Sequence, residues 1–211
     1  MITMTQTKPE FWSKLSQRYA RQAIADPAAY EATLQRTQTY LSSEDTVLEL
    51  GAGTSSTALR LAPMVAQYIS SDYSAGMTAI GRDKAFAASI PGLTVVEGAL
   101  GNPALGTGPF DTILAFNLLH LLPDLESQLD RIAAHLRPGG LFISKSPCLK
   151  GRLGPISLVI SVMQWIGKAP YLRKFSPDAL EAMIAQAGFE VIESDSYPTG
   201  GRNQYIVARK L

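Results

Sequence analysis

Apolar positions along the chain change their period several times, and each change marks an element. Phe11, Trp12, Leu15 and Tyr19 recur at helical spacing, and Tyr30, Leu34 and Tyr40 form a second such series after Pro27. At 46–50 the pattern becomes Thr-Val-Leu-Glu-Leu, closed by Gly51-Ala52-Gly53 and followed by a helical stretch over 54–62, which predicts strand, tight turn and helix. The alternation then repeats, with strands at 67–71, 93–97, 111–116 and 141–145 and helices at 76–88 and 125–136. Ser176-Pro177 is a good cap and first-turn pair for a helix running to 186, and Gly188 ends it. Two closing strands, 189–194 and 204–209, are separated only by a loop with Pro198, Gly200 and Gly201, so they pair antiparallel.

This order predicts an α/β fold: a seven-stranded, mostly parallel sheet with helices on both faces and an antiparallel hairpin at its C-terminal end. The 211 residues, 46% of them apolar, suit one domain spanning 1–211. Within it, residues 1–43 read as an N-terminal helical lid and 149–175 as an insertion on the substrate side. The longest apolar passage, 153–166, is shorter than the roughly 20 residues of a spanning helix and has Pro155 near its start, so no stable membrane insertion is expected. Nineteen basic against 18 acidic residues leave a net charge of +1, which makes nucleic acid a poor partner. A lone cysteine, Cys148, excludes an intramolecular disulfide framework, and the first residues lack a cationic region followed by an apolar stretch. A cytoplasmic location is the simple expectation. Neither composition nor pattern fixes the oligomeric state.

In an open α/β sheet, ligands sit beyond the carboxyl ends of the strands, where helix amino termini supply N–H donors. The turn 49–55, Glu-Leu-Gly-Ala-Gly-Thr-Ser, occupies that place after the first strand. Its glycines let backbone approach a ligand, and the Glu49 carboxylate disfavours a pyrophosphate while suiting the ammonium of an amino-acid ligand. About twenty residues on, Asp72 ends the second strand at the spacing that reaches ribose hydroxyls.

VLELGAGTS at 47–55, ISSDYSAGM at 69–77, FDTILAFNLLHLLPD at 110–124 and LRPGGLFIS at 136–144 follow one another in this order. Together they resemble the class I S-adenosylmethionine-dependent methyltransferases of the UbiE-like small-molecule group, from about Phe11 to the terminus. That resemblance implies a Rossmann-like fold, S-adenosylmethionine as methyl donor and S-adenosylhomocysteine as product. It further implies that Glu49, Gly51 and Gly53 surround the methionine part, Asp72 accepts from both ribose hydroxyls, Tyr73 packs on adenine and Asn117 lies beneath the methionyl group. Two positions depart from the family pattern: Ser55 stands for a frequent third glycine, and Ala99 for an aspartate that contacts the adenine amine. The backbone of Leu100 is then left to recognise adenine.

Methyl transfer from a sulfonium asks the protein mainly to align a nucleophile and exclude water, so a metal is not obligatory. Only His120 and His135 are present, and no histidine and carboxylate cluster has ligand spacing, which predicts a metal-independent reaction. His120, three residues after Asn117, is the candidate base or substrate-orienting donor, or else packs the following helix. His135 at a helix end reads as a surface residue bonded to carbonyls. Cys148 is either a pocket-wall thiol or a small buried hydrophobe. Trp12 and Tyr19 either close over the ligands or simply pack. The passage 149–175, with Met163, Trp165 and Tyr171, predicts a flattish apolar pocket for a small aromatic or heteroaromatic acceptor, in which Trp12, His120, Cys148 and Trp165 are candidate contacts.

Rival readings are weighed by single features. A nicotinamide-dependent dehydrogenase would place a third glycine at position 56, where this chain has Ser56. A phospholipid N-methyltransferase draws support from Arg152, Lys168, Arg173 and Lys174 bordering the apolar passage. An RNA or protein methyltransferase is disfavoured by near-neutral charge and the missing Asn/Asp-Pro-Pro-Tyr type motif. A non-catalytic S-adenosylmethionine-binding protein would share every motif above.

Overall fold

Val47, Leu48 and Leu50 put apolar groups on both sides of one short segment, the pattern of a strand buried on both faces. In the computed structural model, which describes residues 7–149 and 169–211, that segment is β1 (Thr46–Leu50), near the middle of a seven-stranded sheet. The other strands are β2 (Gln67–Asp72), β3 (Leu93–Glu97), β4 (Phe110–Phe116), β5 (Leu136–Pro147), β6 (Phe189–Ser196) and β7 (Asn203–Lys210). Their order is β3-β2-β1-β4-β5-β7-β6, parallel from β3 to β5, with β7 antiparallel to both β5 and β6. The predicted fold class and closing hairpin are both present.

Among the described residues six helices flank the sheet: α1 (Pro9–Arg21), α2 (Pro27–Gln38), α3 (Ala58–Leu61), α4 (Ala75–Ala88), α5 (Leu125–His135) and α6 (Pro177–Gln186). Alternate strand residues face opposite sides. Leu48, Ile113, Phe142 and Ile206 join Leu129 and Ile132 of α5 and Leu180 and Ile184 of α6 in one core. Val47, Leu114, Ile143 and Val207 join Leu34 of α2 and Ala58 and Leu61 of α3 in the other. Among the described residues, no helix is long and apolar enough to cross a membrane.

Two differences from the pattern-based reading have local causes. The helix expected over 54–62 shrinks to α3 and a 3-10 turn at Ala62–Met64, because Ser55 takes φ +59, a left-handed conformation that cannot continue a right-handed helix. Strand β5 starts five residues early, at Leu136 paired with Phe110, and a register shift before Leu141 absorbs the Pro138-Gly139-Gly140 segment. In the segment read as a lid over 1–43, α2 is capped by Asp26 and packs beneath the sheet. There Lys145 of β5, only 8% exposed, donates to Ala29 O and Thr33 Oγ1 at 3.2 and 2.6 Å. Burial lowers its pKa, against the opposing field of Asp26.

Helix α1 lies across α4 at a point where bulk is absent. A Cβ on Gly76 would come within 2.8 Å of Ser13 Cα, and Ser13 Oγ bonds both Ser74 Oγ at 2.9 Å and the Gly76 N–H at 3.2 Å. This close approach directs one side of α1 toward the carboxyl ends of the strands.

Candidate functional site

Those carboxyl ends surround a cavity of about 460 Å³. The turn after β1 forms one wall. Gly51 and Gly53 have φ +65 and +56, where a side chain is strained, and a Cβ on Gly51 would lie 2.7 Å from Leu118 Cδ1. Backbone is therefore the surface this turn presents. Asp72 stands at the end of β2, 8% exposed, with Oδ2 accepting from Gly53 N at 3.0 Å and Oδ1 from Ser74 N at 2.9 Å. Burial raises its pKa, and those two backbone donors pull it back. Each oxygen keeps a further lone pair for a ligand hydroxyl.

Tyr73, the next residue, donates its hydroxyl to Thr7 O at 2.8 Å, and burial, helped by Asp72, pushes its pKa up to about 12. Thr7 Oγ1 in turn accepts from Tyr171 N at 2.9 Å, so the segment leading into α1 is tied to both sides of the cavity. From α1, Trp12 and Tyr19 complete this wall. Tyr19 stays 51% exposed, and its Cε1 would be 3.8 Å from a Cβ on Gly53.

The opposite wall is the segment after β4. Asn117 has φ +54 and donates its N–H to Lys145 O at 2.7 Å, which turns the chain sharply above the sheet. A 3-10 turn over Leu119–Leu121 then carries His120 into the lining. Burial lowers the His120 pKa to about 4, and its Nδ1 is buried with no hydrogen-bond partner. The ring is thus neutral near pH 7. Its carbonyl accepts from Arg173 N at 2.7 Å, while the Arg173 side chain pairs with Glu126 and bonds Pro123 O. These bonds fasten the 169–175 segment to the His120 turn.

The cavity thus brings together Trp12, Tyr19, Gly51, Gly53, Asp72, Tyr73, Ala99, Leu100, Asn117 and His120 of the residues singled out in the sequence. Two others do not line it. Glu49 is not in the lining: it alternates with Leu48 and Leu50, lies on the other face of β1, and accepts from Tyr68 Oη at 2.9 Å while 2% exposed. Burial, moderated by Tyr68, pushes its pKa up to about 7. Of the two readings of Cys148, it is the small buried hydrophobe, in the same core as Phe142 and Phe175, and its neighbour Pro147 lines the cavity. Trp165 and Met163 lie outside the described residues. His135 bonds Arg131 O through Nδ1 at 2.8 Å, as a helix-end residue does.

Arg131, Gln128 and Asp124 line the cavity without having been singled out. They sit at i, i+4 and i+7 from the N-cap of α5 onward, a signal present in the sequence but identical to that of a solvated helix face. Arg173 was grouped with cations bordering an apolar passage; the structure gives it to Glu126 and the His120 turn instead. Among the described residues no group of three His, Cys, Asp or Glu side chains is placed to hold a metal ion.

Comparison with known proteins agrees with this geometry. A family model described as a methyltransferase domain matches residues 17–194. The chain is 31% identical over 186 residues to a highly reducing polyketide synthase of Penicillium soppii; the match covers 77% of this chain but 7% of the synthase. Among solved structures, the complex of DhpI with S-adenosylhomocysteine superposes with a TM-score of 0.74 at 18% identity, covering 97% of this chain and 95% of the other. A possible histamine N-methyltransferase from Thermotoga maritima gives 0.71 at 22% identity, covering 97% and 100%. Glycine turn, strand-end aspartate, sheet order and family match converge: the chain belongs to the methyltransferase-domain family, with the fold of the class I S-adenosylmethionine-dependent enzymes.

Proposed function

We propose that this protein transfers a methyl group from S-adenosylmethionine, without a metal, to a small aromatic or heteroaromatic acceptor bearing a sulfur, nitrogen or oxygen nucleophile. The residues present fit the donor. The Gly51–Leu118 approach leaves no room for a side chain, so backbone can meet the methionine part, and Asp72 offers two carboxylate oxygens to a diol. Tyr73 and Leu100 flank the place for a base, and Asn117 the reacting end. When bound, the donor supplies an electrophilic methyl on a sulfonium, and the bond to the acceptor forms as the carbon–sulfur bond breaks with its electrons going to sulfur.

The observation that carries the acceptor class is the lining around His120. Leu118, Leu121, Leu122, Pro147 and Leu172 make an apolar surface beside a neutral imidazole, which suits a flat acceptor held by one hydrogen bond. A ring with so low a pKa is a weak base, so His120 orients more than it deprotonates. Trp12 and Tyr19 of α1, which line the cavity, are the residues placed to shield the reacting groups from water. The test is a product-detected screen with methyl-labelled donor against thiols, phenols, N-heterocycles and amines, run with and without EDTA. Labelled product from at least one such acceptor, unchanged by EDTA, is expected; loss of turnover in EDTA restored by magnesium or zinc overturns the metal-free reading.

A second acceptor class is favoured by the polyketide synthase relative: an oxygenated polyketide with a carbon or oxygen nucleophile. A phospholipid amine has less support, because Arg173 is already committed to Glu126. Absence of product from every class, with S-adenosylhomocysteine still bound, would favour a non-catalytic binder.

A further inference from the structure

The end of the cavity nearest β3 is formed by Gly98, Ala99 and Leu100, which bring no polar side chain to it. Polarity there comes from α5. Arg131 Nη2 donates to Leu100 O, and a Cβ on Gly101, at φ +93, would overlap the guanidinium, so this glycine makes the room in which Arg131 lies. No carboxylate pairs with Arg131 among the described residues. A guanidinium has five N–H donors and no acceptor. One donor is used on Leu100, and Arg131 remains part of the cavity lining.

We propose that Arg131 is the residue that sets purine specificity in this cavity, holding the 99–101 segment in place and giving its remaining N–H donors to an acceptor on the edge of the base. The inference rests on reading the cavity as the site of an S-adenosyl ligand. It goes further in one respect: a donor-only group reads ring nitrogens and oxo groups and is indifferent or averse to an amine. An exocyclic 6-amino group is therefore not the feature selected. A base carrying a 6-oxo group is accepted nearly as well as adenine.

Calorimetry with two probes, S-adenosylhomocysteine and S-inosylhomocysteine, tests this on the full chain and on Arg131→Leu and Arg131→Lys. The wild-type protein is expected to bind both within tenfold of each other. Arg131→Leu should weaken S-adenosylhomocysteine by tenfold or more and the 6-oxo ligand by at least a further tenfold, and Arg131→Lys, which keeps a donor, should restore much of the 6-oxo affinity. Equal losses for both ligands, with their ratio unmoved, would reduce Arg131 to a tie on the Leu100 loop and overturn the proposal. So would unchanged affinities in a folded Arg131→Leu protein, or a wild-type preference for adenine above tenfold. If the wild-type protein binds neither ligand, the reading of the cavity itself falls, an outcome distinct from the others.

Discussion

Asp72 carries the largest single expectation at the scale of one residue. Its two oxygens already accept from Gly53 and Ser74, which fixes the carboxylate's orientation before any ligand arrives. A charge-assisted hydrogen bond to a ribose hydroxyl contributes about 1.5 to 3 kcal/mol, so Asp72→Ala should weaken S-adenosylhomocysteine at least tenfold by calorimetry. Unchanged affinity in a folded variant would remove Asp72 from the site. For His120, the low pKa and buried Nδ1 argue for orientation. His120→Ala should then act mainly through the Michaelis constant with a thiol or amine acceptor, and cost roughly 10²- to 10⁴-fold in turnover only if a hydroxyl must lose its proton to the ring. A turnover–pH profile of the variant on a confirmed acceptor separates the two; a large pH-sensitive loss with a thiol would overturn the orienting role.

Between elements, the turn after β1 and helix α4 are fitted to each other through two residues. Ser55, fully buried at φ +59, bonds Ser70 Oγ at 2.8 Å, and a Cβ on Gly81 of α4 would overlap its Oγ. The departure from the family's third glycine is thus matched by a missing side chain on the facing helix. Gly81→Ala should cost about 1–3 kcal/mol through overpacking, and adding Ser55→Gly should return much of that, since glycine suits the left-handed backbone. Urea denaturation of the two single variants and the double variant measures the coupling. Additive losses would mean the two residues do not meet.

For the whole molecule, two buried groups give stability opposite dependences on pH. The folded pKa of His120, about 4, lies below the ordinary 6.5, so its contribution is full above pH 6.5 and is lost as pH falls toward 4. Glu49, at about 7, lies above the ordinary 4.5, so its contribution is full below pH 4.5 and is lost as pH rises through 7. Each is on the order of 3 kcal/mol at most. Between pH 4.5 and 6.5 the slopes oppose. Glu49→Gln should therefore unmask stability that rises with pH across that window, and His120→Asn stability that falls. Urea midpoints from pH 4.5 to 7.5 check this, and parallel profiles for the two variants would contradict it.

Order and type of the elements follow from spacing along the chain. A short apolar run marks β1 and a period-3.6 run α5, and Gly51, Gly53 and Asp72 announce a ligand turn, because strand, helix and turn preferences act between neighbours. The same local rules failed at Ser55, where a buried hydroxyl pair holds a backbone conformation that serine alone would rarely take. Other features needed the assembled sheet. Which face of β1 looks to the cavity decided that the Glu49 carboxylate meets Tyr68. The β3-β2-β1-β4-β5 order set α5 against the end of β3 and joined Arg131 to Leu100. Arg173 reaches the His120 turn across 53 residues of chain. In the sequence these residues are indistinguishable from solvated charges; only the packing of distant segments around one cavity gives their donors and carboxylates partners, and with them a role.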